Sequence, residues 1–161
     1  MSINANTYDF ENNKFYSEPN NKKIYRIEID YMKGGPWINT GNMDYYYIKK
    51  LIPFSSEDFP NLQELTIKAC KYTIDSTIGE FKKLQVLYIS SGNFNDYECC
   101  DGILNKSFPE SFWKLKNLKH LTLDFKDEYG MTEKFSELEN LESLTISGIM
   151  FTPLTLMNLK K

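Results

Sequence analysis

Leu62-Gln-Glu-Leu-Thr-Ile67 and three later copies of its pattern, Leu-x-x-Leu-x-Ile or Leu-x-x-Leu-x-Leu, decide the fold of this chain. The later copies begin at Leu84, Leu118 and Leu141, so the first leucines are separated by 22, 34 and 23 residues. A period of about 20–29 residues is typical of a solenoid in which each turn contributes one strand to a parallel sheet. The spacing therefore predicts neighbouring parallel strands, with an insertion before Leu118.

Two more apolar columns accompany the phrase. They stand three and six residues before each later first leucine, at Phe81 and Ile78, Leu115 and Phe112, and Leu138 and Phe135. The first copy keeps only Phe59, with Ser56 in the other position. The four phrases alone also fit amphipathic helices, but two further columns in fixed register indicate a solenoid turn that buries residues on its return path.

A weaker copy, Ile24-x-x-Ile27-x-Ile29, lies 38 residues before Leu62. Apolar and charged residues alternate from Lys22 to Tyr31, which is typical of a strand with one buried face. We therefore predict a fifth strand here.

These phrases, together with Ile78-Gly-Glu-Phe81 and Phe108-Pro-Glu-Ser-Phe112, resemble the leucine-rich repeat family. The resemblance covers about residues 55–149 strongly and 20–32 weakly, and it best fits the variety, common in bacterial and plant proteins, with a proline-containing segment before each run. It implies an α/β solenoid: a short horseshoe of about five parallel strands with an irregular, turn or short-helix convex side. It also implies a binding scaffold, because members of the family serve mostly as protein-interaction surfaces.

The sequence departs from the family at the end of each phrase, where the family has an asparagine that ties down the turn. The corresponding residues here are Cys70, Gly92, Lys126 and Ile149. Only cysteine is a usual substitute, so we expect irregular loops along that edge of the sheet.

The phrase spacing indicates a single domain, residues 1–161. We predict an N-terminal cap at 1–20, repeats over 21–149 with insertions at 33–58 and 92–109, a charged turn at 126–130, and a C-terminal cap at 150–161. In the first insertion, Ser55 to Asp58 looks like a helix start, but Pro60 should limit it to about one turn.

Composition limits the partners and the compartment. The chain carries 19 basic and 22 acidic residues, for a net charge of −3, which gives no electrostatic footprint for nucleic acid. No apolar run reaches the ~18 residues of a membrane span, and the first residues lack the basic and apolar regions of a secretory signal. Three cysteines, two of them adjacent, do not form a paired framework. We therefore expect a cytoplasmic protein that binds neither nucleic acid nor membrane.

Strand alternation also predicts an outward surface for a partner. Residues between the inward leucines point outward, and Tyr88 lies at the centre of that surface as its aromatic anchor. The candidate partner-binding residues are Tyr88, His120, Glu64, Lys68, Arg26, Glu28 and Asp124, with Trp37, Tyr45 and Tyr47 from the first insertion. The alternatives are a solvated sheet face that binds nothing and, for the insertion, a cap folded over the first strands.

No catalytic site, metal site or cofactor is predicted. His120 is the only histidine, and its expected neighbours across the strands, Val86 and Ser143, carry neither a carboxylate nor a thiol. Asp30 and Asp124 should stand three strands apart, about 14–15 Å, which exceeds the ~5–9.5 Å of a glycosidase carboxylate pair.

We therefore predict a non-enzymatic protein-binding module whose partner is another protein, with an inhibitor or immunity-type role as one form of that function. Two alternatives stay open. One is a recognition subunit of an enzyme system, whose chemistry would have to come from Asp96, Glu98, Cys99 and Asp101 in the second insertion. The other is a self-assembling structural repeat protein.

Overall fold

A parallel sheet dominates the fold. The computed structural model describes residues 1–3, 8–9, 14–15, 20–30, 52–68, 74, 76–90, 108–131 and 134–151. The strands are β1 (Ser2–Ile3), β2 (Tyr8–Asp9), β3 (Lys14–Phe15), β4 (Arg26–Asp30), β5 (Glu64–Lys68), β6 (Val86–Ser90), β7 (His120–Met131) and β8 (Ser143–Phe151). Six of them form a mostly parallel open sheet in the order β1-β4-β5-β6-β7-β8, and β2 and β3 form a separate antiparallel pair. Within the described ranges there is almost no helix, and no helix is long and apolar enough to cross a membrane.

The four leucine phrases and their weaker copy are neighbouring parallel strands, as predicted. One continuous row across β4 to β8 pairs Ile27, Leu65, Leu87, Leu121 and Leu144. The residues two positions further along each strand pair in the same register. A slip of one residue would turn every inward side chain to the opposite face, so burial of one face specifies this register.

The same backbone hydrogen bonds recur where each strand begins. The Tyr25 carbonyl accepts the N–H groups of both Gln63 and Glu64, at 2.7 and 2.9 Å. The carbonyls of Gln63, Gln85 and Lys119 each accept two N–H groups of the next strand in the same way. Successive strands therefore enter the sheet with one shared geometry.

The core lies between the sheet and the short return segments that precede each strand. The return segments contain single 3₁₀ turns at Asn21–Lys23, Ser76–Glu80, Phe112–Lys114 and Phe135–Glu137. Every apolar member of the two predicted return-path columns is buried: Phe59, Ile78, Phe81, Phe112, Leu115, Phe135 and Leu138. The prediction that the return path carries buried residues is confirmed.

Aromatic side chains link successive return segments. Trp113 meets Phe135 edge to face, with ring centroids 5.6 Å apart, and Phe54 meets Phe59 and Phe81 at 4.8 and 5.8 Å. Such pairs add about 0.5–1.5 kcal/mol each beyond area burial. The periodicity did not predict burial of Trp113 or Phe54, because neither belongs to an apolar column.

An asparagine ladder lies along the edge where the strands begin. The side-chain amides of Asn61, Asn117 and Asn140 donate to the carbonyls of Lys22, Lys82 and Lys116 in the preceding return segments, at 3.0, 2.7 and 2.6 Å. Each asparagine immediately precedes the first leucine of its phrase. Lys83 has this position in the remaining copy, and its Nζ donates to Asn61 Oδ1 at 2.7 Å. The asparagines that tie turns together therefore precede the phrases, whereas the family pattern places an asparagine at the phrase ends.

The sheet has one strand more than the five predicted. β1 pairs with β4, inside the stretch predicted to be an N-terminal cap. Ile3 is fully buried, the Met1 amino group donates to the Arg26 carbonyl at 2.9 Å, and the Glu28 N–H donates to the Met1 carbonyl at 2.8 Å. These bonds use the N–H and C=O groups that β4 would otherwise present at a free edge. β4 itself begins at Arg26 instead of Lys22, because residues 21–23 form a 3₁₀ turn.

The charged turn predicted at 126–130 is wrong. β7 continues to Met131 and β8 to Phe151, with Tyr129 paired to Ile149. The pairing is irregular between Asp124 and Tyr129, where β7 accommodates more residues than β8, as in a β-bulge. The expectation of irregular loops at Lys126 and Ile149 is wrong for the same reason.

The structure covers only part of each predicted insertion. Within the first, Ser55 and Asp58 close a turn in which Ser55 N–H donates to Asp58 Oδ2 at 2.7 Å, which confirms the short turn expected there. Residues 31–51 and 91–107 lie outside the described residues, and so do Cys70 and Gly92.

Candidate functional site

The outward side chains of β4 to β8 form one polar surface, here called the strand face. Its three cross-strand rows are Arg26, Glu64, Val86, His120 and Ser143; Glu28, Thr66, Tyr88, Thr122 and Thr145; and Asp30, Lys68, Ser90, Asp124 and Ser147. The rows are continuous because all five strands share one register. Each outward residue therefore lies beside its counterparts on the adjacent strands.

Seven of the ten predicted binding residues lie together on this face. The exposed ones are Arg26 and His120, and the half-buried ones are Glu28, Glu64, Lys68, Tyr88 and Asp124. The other three, Trp37, Tyr45 and Tyr47, lie outside the described residues. Tyr88 is in the central strand of the five and in the middle row.

Charges on β4 and β5 are arranged in ion pairs. Lys68 Nζ lies 2.5 Å from Glu28 Oε1 and 3.9 Å from Asp30 Oδ2, and Arg26 Nε lies 3.3 Å from Glu64 Oε2. The hydrogen bond to Glu28 raises the pKa of Lys68, with desolvation acting in the opposite direction. Asp30 points outward as predicted but is only 3% exposed, so its carboxylate is buried beside the Lys68 ammonium.

Hydroxyl groups surround the carboxylate of Asp124. Ser147 Oγ donates to Oδ1 at 2.5 Å, while Tyr88 Oη and Ser90 Oγ approach Oδ2 at 3.4 and 3.5 Å. The two serines flank Asp124 in the last row, and Tyr88 reaches it diagonally from β6. In the part of the chain that the structure describes, Asp124 has no ion pair. Hydroxyls thus satisfy this carboxylate without neutralising its charge.

Ser90 and Ser147 are members of this cluster that were absent from the predicted binding set. Both were expected to point outward, but serine carries no signal that distinguishes a carboxylate partner from a solvated surface residue. Ser90, Asp124 and Ser147 occupy the same position in their phrases, and this equivalence could have indicated their contact.

His120 is exposed and in register with Val86 and Ser143, as expected from the phrase alignment. It carries no catalytic arrangement visible in the described residues. Those residues also hold no group of three or more His, Cys, Asp or Glu side chains that could bind a metal ion. The candidates of the enzyme alternative, Asp96 to Asp101, lie outside them.

No protein-family model matches the chain, and no curated protein matches its sequence. Function is therefore inferred from the residues and their geometry alone.

Proposed function

We propose that this protein is a non-enzymatic binding module of the leucine-rich repeat type, which binds another protein through the strand face. The observation that carries the proposal is the continuity of the three rows across β4 to β8 with half-buried Tyr88 at their centre. Interfaces favour a large aromatic side chain surrounded by polar groups, because the ring supplies contact area and the polar rim supplies hydrogen bonds.

Three recurring features support the solenoid part of the proposal. They are the carbonyls that each accept two N–H groups, the asparagine ladder, and the buried return-path columns. Each feature joins one phrase to the phrase before it. Such nearest-neighbour contacts are what stabilise a stack of repeats.

The charge of the strand face supports a protein as the partner. Its four carboxylates, on Glu28, Asp30, Glu64 and Asp124, outnumber the two cations, Arg26 and Lys68. Nucleic-acid phosphates and anionic lipid headgroups are disfavoured at a surface with excess negative charge. We propose that the protein performs this function in the cytoplasm, with an inhibitor or immunity-type role as one form of it.

Capture of a partner by two tyrosine variants tests the proposal. Tyr88→Ala removes the central ring, whereas Tyr25→Ala removes a side chain that is 60% exposed and lies outside the three rows. The tagged protein, expressed in its native cell and crosslinked, should capture a partner. The binding free energy of the purified complex should weaken by about 2 kcal/mol or more in Tyr88→Ala and stay unchanged in Tyr25→Ala.

Both variants should keep a cooperative thermal melt. Equal affinity of wild type and Tyr88→Ala for every captured protein would contradict the proposal. Loss of folding in Tyr88→Ala would place Tyr88 in the core and contradict it as well.

A second candidate function, self-assembly, is favoured by one observation at the last strand. Leu144 and Ile146 on β8 are only partly buried, whereas their partners Leu121 and Leu123 on β7 are fully buried. A second copy stacked on β8 would complete their burial. Sedimentation equilibrium separates the two functions. A monomer at high micromolar concentration contradicts self-assembly, whereas a dimer that the Leu144→Lys substitution dissociates supports it.

A further inference from the structure

We infer that Asp124 and Tyr88 form a seat for a basic side chain of the partner protein, in the first place an arginine; this inference rests on the proposed function. No other position on the strand face combines a carboxylate lacking an ion pair in the described residues with a neighbouring aromatic ring.

The distribution of charge selects Asp124 among the four carboxylates. Glu28 and Asp30 share the Lys68 ammonium, and Glu64 has the Arg26 guanidinium. A partner cation at any of these positions would have to displace a cation that is already there. At Asp124 it meets a carboxylate whose partners within the described residues are neutral hydroxyls, so the incoming charge displaces no described cation.

The hydroxyls position the carboxylate for such a ligand. Ser147 donates to Oδ1 from β8, and the Tyr88 and Ser90 hydroxyls approach Oδ2 from β6 at 3.4 and 3.5 Å, so both adjacent strands contribute to orienting the carboxylate. Each carboxylate oxygen has two acceptor directions. Ser147 uses one direction on Oδ1, and the two approaches to Oδ2 are longer than an ordinary O–H···O hydrogen bond, so an arginine can compete for a direction on each oxygen. Asp124 is half-buried, which lowers the local dielectric while leaving the group accessible.

Arginine fits the seat better than lysine. Its planar guanidinium donates two parallel hydrogen bonds to one carboxylate and stacks on an aromatic ring, while an ammonium acts as a point charge. The Tyr88 hydroxyl lies 3.4 Å from Asp124 Oδ2, so its ring is near enough to contact a guanidinium bound to that carboxylate.

Titration of the ¹⁵N-labelled protein with N-acetyl-arginine amide tests the seat directly. N-acetyl-citrulline amide is the matched control, because it has the same shape without the charge. We expect saturable amide shifts at 88–90, 122–124 and 145–147 with the arginine probe and none with the citrulline probe. Shifts of equal size at the exposed carboxylates Glu57, Glu80 and Glu137 would overturn the inference.

Two variants that replace a carboxylate with the corresponding neutral amide make the titration more specific. Asp124→Asn should raise the apparent dissociation constant for the arginine probe at least tenfold, while Glu57→Gln, which neutralises an exposed carboxylate outside the strand face, should leave it within twofold. An unchanged constant in Asp124→Asn would overturn the seat. If Asp124→Asn does not fold, the location of the wild-type shifts decides the matter by itself.

The same variant distinguishes failure of the seat from failure of the proposed function. A partner that requires Tyr88 but binds Asp124→Asn as tightly as wild type would overturn the seat and leave the proposed function standing. A partner lost in both Tyr88→Ala and Asp124→Asn supports both. Arginine binding at 122–124 without any partner that depends on the strand face would overturn the proposed function, and with it the assignment of the seat to a partner protein.

Discussion

The side-chain amide of Asn117 donates a 2.7 Å hydrogen bond to the backbone carbonyl of Lys82, which lies 35 residues earlier in the chain. The contact joins the turn before β7 to the turn before β6. Asn61 makes the equivalent contact two strands earlier, between the turns before β5 and β4, and Asn140 makes it one strand later. A short side chain at one position of the phrase therefore connects a turn to the preceding one in three of the four copies, and Lys83 has this position in the fourth.

Replacing Asn117 with alanine should lower the free energy of unfolding by about 1 kcal/mol, because the Lys82 carbonyl loses its donor. Asn20→Ala is the matched control, since Asn20 is exposed and its side chain makes no capping hydrogen bond. Urea denaturation followed by circular dichroism measures both. Equal midpoints for the two variants would show that the ladder does not contribute to stability.

Leu121→Ala should destabilise the protein by about 2–5 kcal/mol, because Leu121 is 0% exposed on β7, between β6 and β8, and its truncation leaves a cavity. Leu144→Ala, in register on β8, should cost clearly less, since Leu144 is only partly buried. Chemical denaturation of both variants gives the comparison. A cost below ~0.5 kcal/mol at Leu121 would contradict its burial.

Gly79→Ala should destabilise the protein by about 1–3 kcal/mol, because a Cβ at this position would lie 2.3 Å from the backbone oxygen of Ser111 in the next return segment. The added Cβ would meet the backbone of Ser111, which cannot move aside as the end of a flexible side chain could. Glu80→Ala is the control, as Glu80 is exposed at the end of the same 3₁₀ turn. A melting temperature of Gly79→Ala equal to that of wild type would disprove the close approach of the two segments.

Lys68→Met should lower the free energy of unfolding by about 1 kcal/mol near neutral pH. This value is at the upper end for exposed ion pairs, because Lys68 is partly screened by solvent but adjoins the buried carboxylate of Asp30. Lys119→Met, which removes an exposed pair with Glu142, should change stability little. Thermal denaturation of both variants at pH 7 measures the difference.

The Lys68 contribution should also depend on pH with a definite sign. Its pKa is raised in the folded protein above the ordinary value of 10.5, chiefly by the hydrogen bond to Glu28. The stabilisation is therefore complete below pH 10.5 and is lost as the pH rises through the folded pKa. The stability difference between wild type and Lys68→Met should stay constant from about pH 7 to 9 and shrink above 10.5. A difference that grows with alkalinity would contradict the ion pair.

The candidate face could be derived almost entirely from the phrases. Leucine spacing determines which residues of each strand are buried, and two-residue alternation then places Tyr88, His120 and Asp124 outward. The ion pair of Lys68 with Glu28 and the cluster around Asp124 could not be derived in the same way. They depend on side-chain conformations and on diagonal contacts between strands, which the alignment of phrases leaves open.

By itself, the sequence determined the parallel strands, their common register and the buried return-path columns, because these follow from a repeated hydrophobic pattern and each copy reinforces the others. Only the tertiary structure decided the remaining features. β1 has just two residues, too few for a periodic signal, and it forms because β4 offers a free edge. The extension of β7 past Asp124 breaks the alternation with a bulge and needs β8 alongside to supply its hydrogen bonds. In both cases the segment lies outside the repeated phrase, so the pattern contains no record of its pairing.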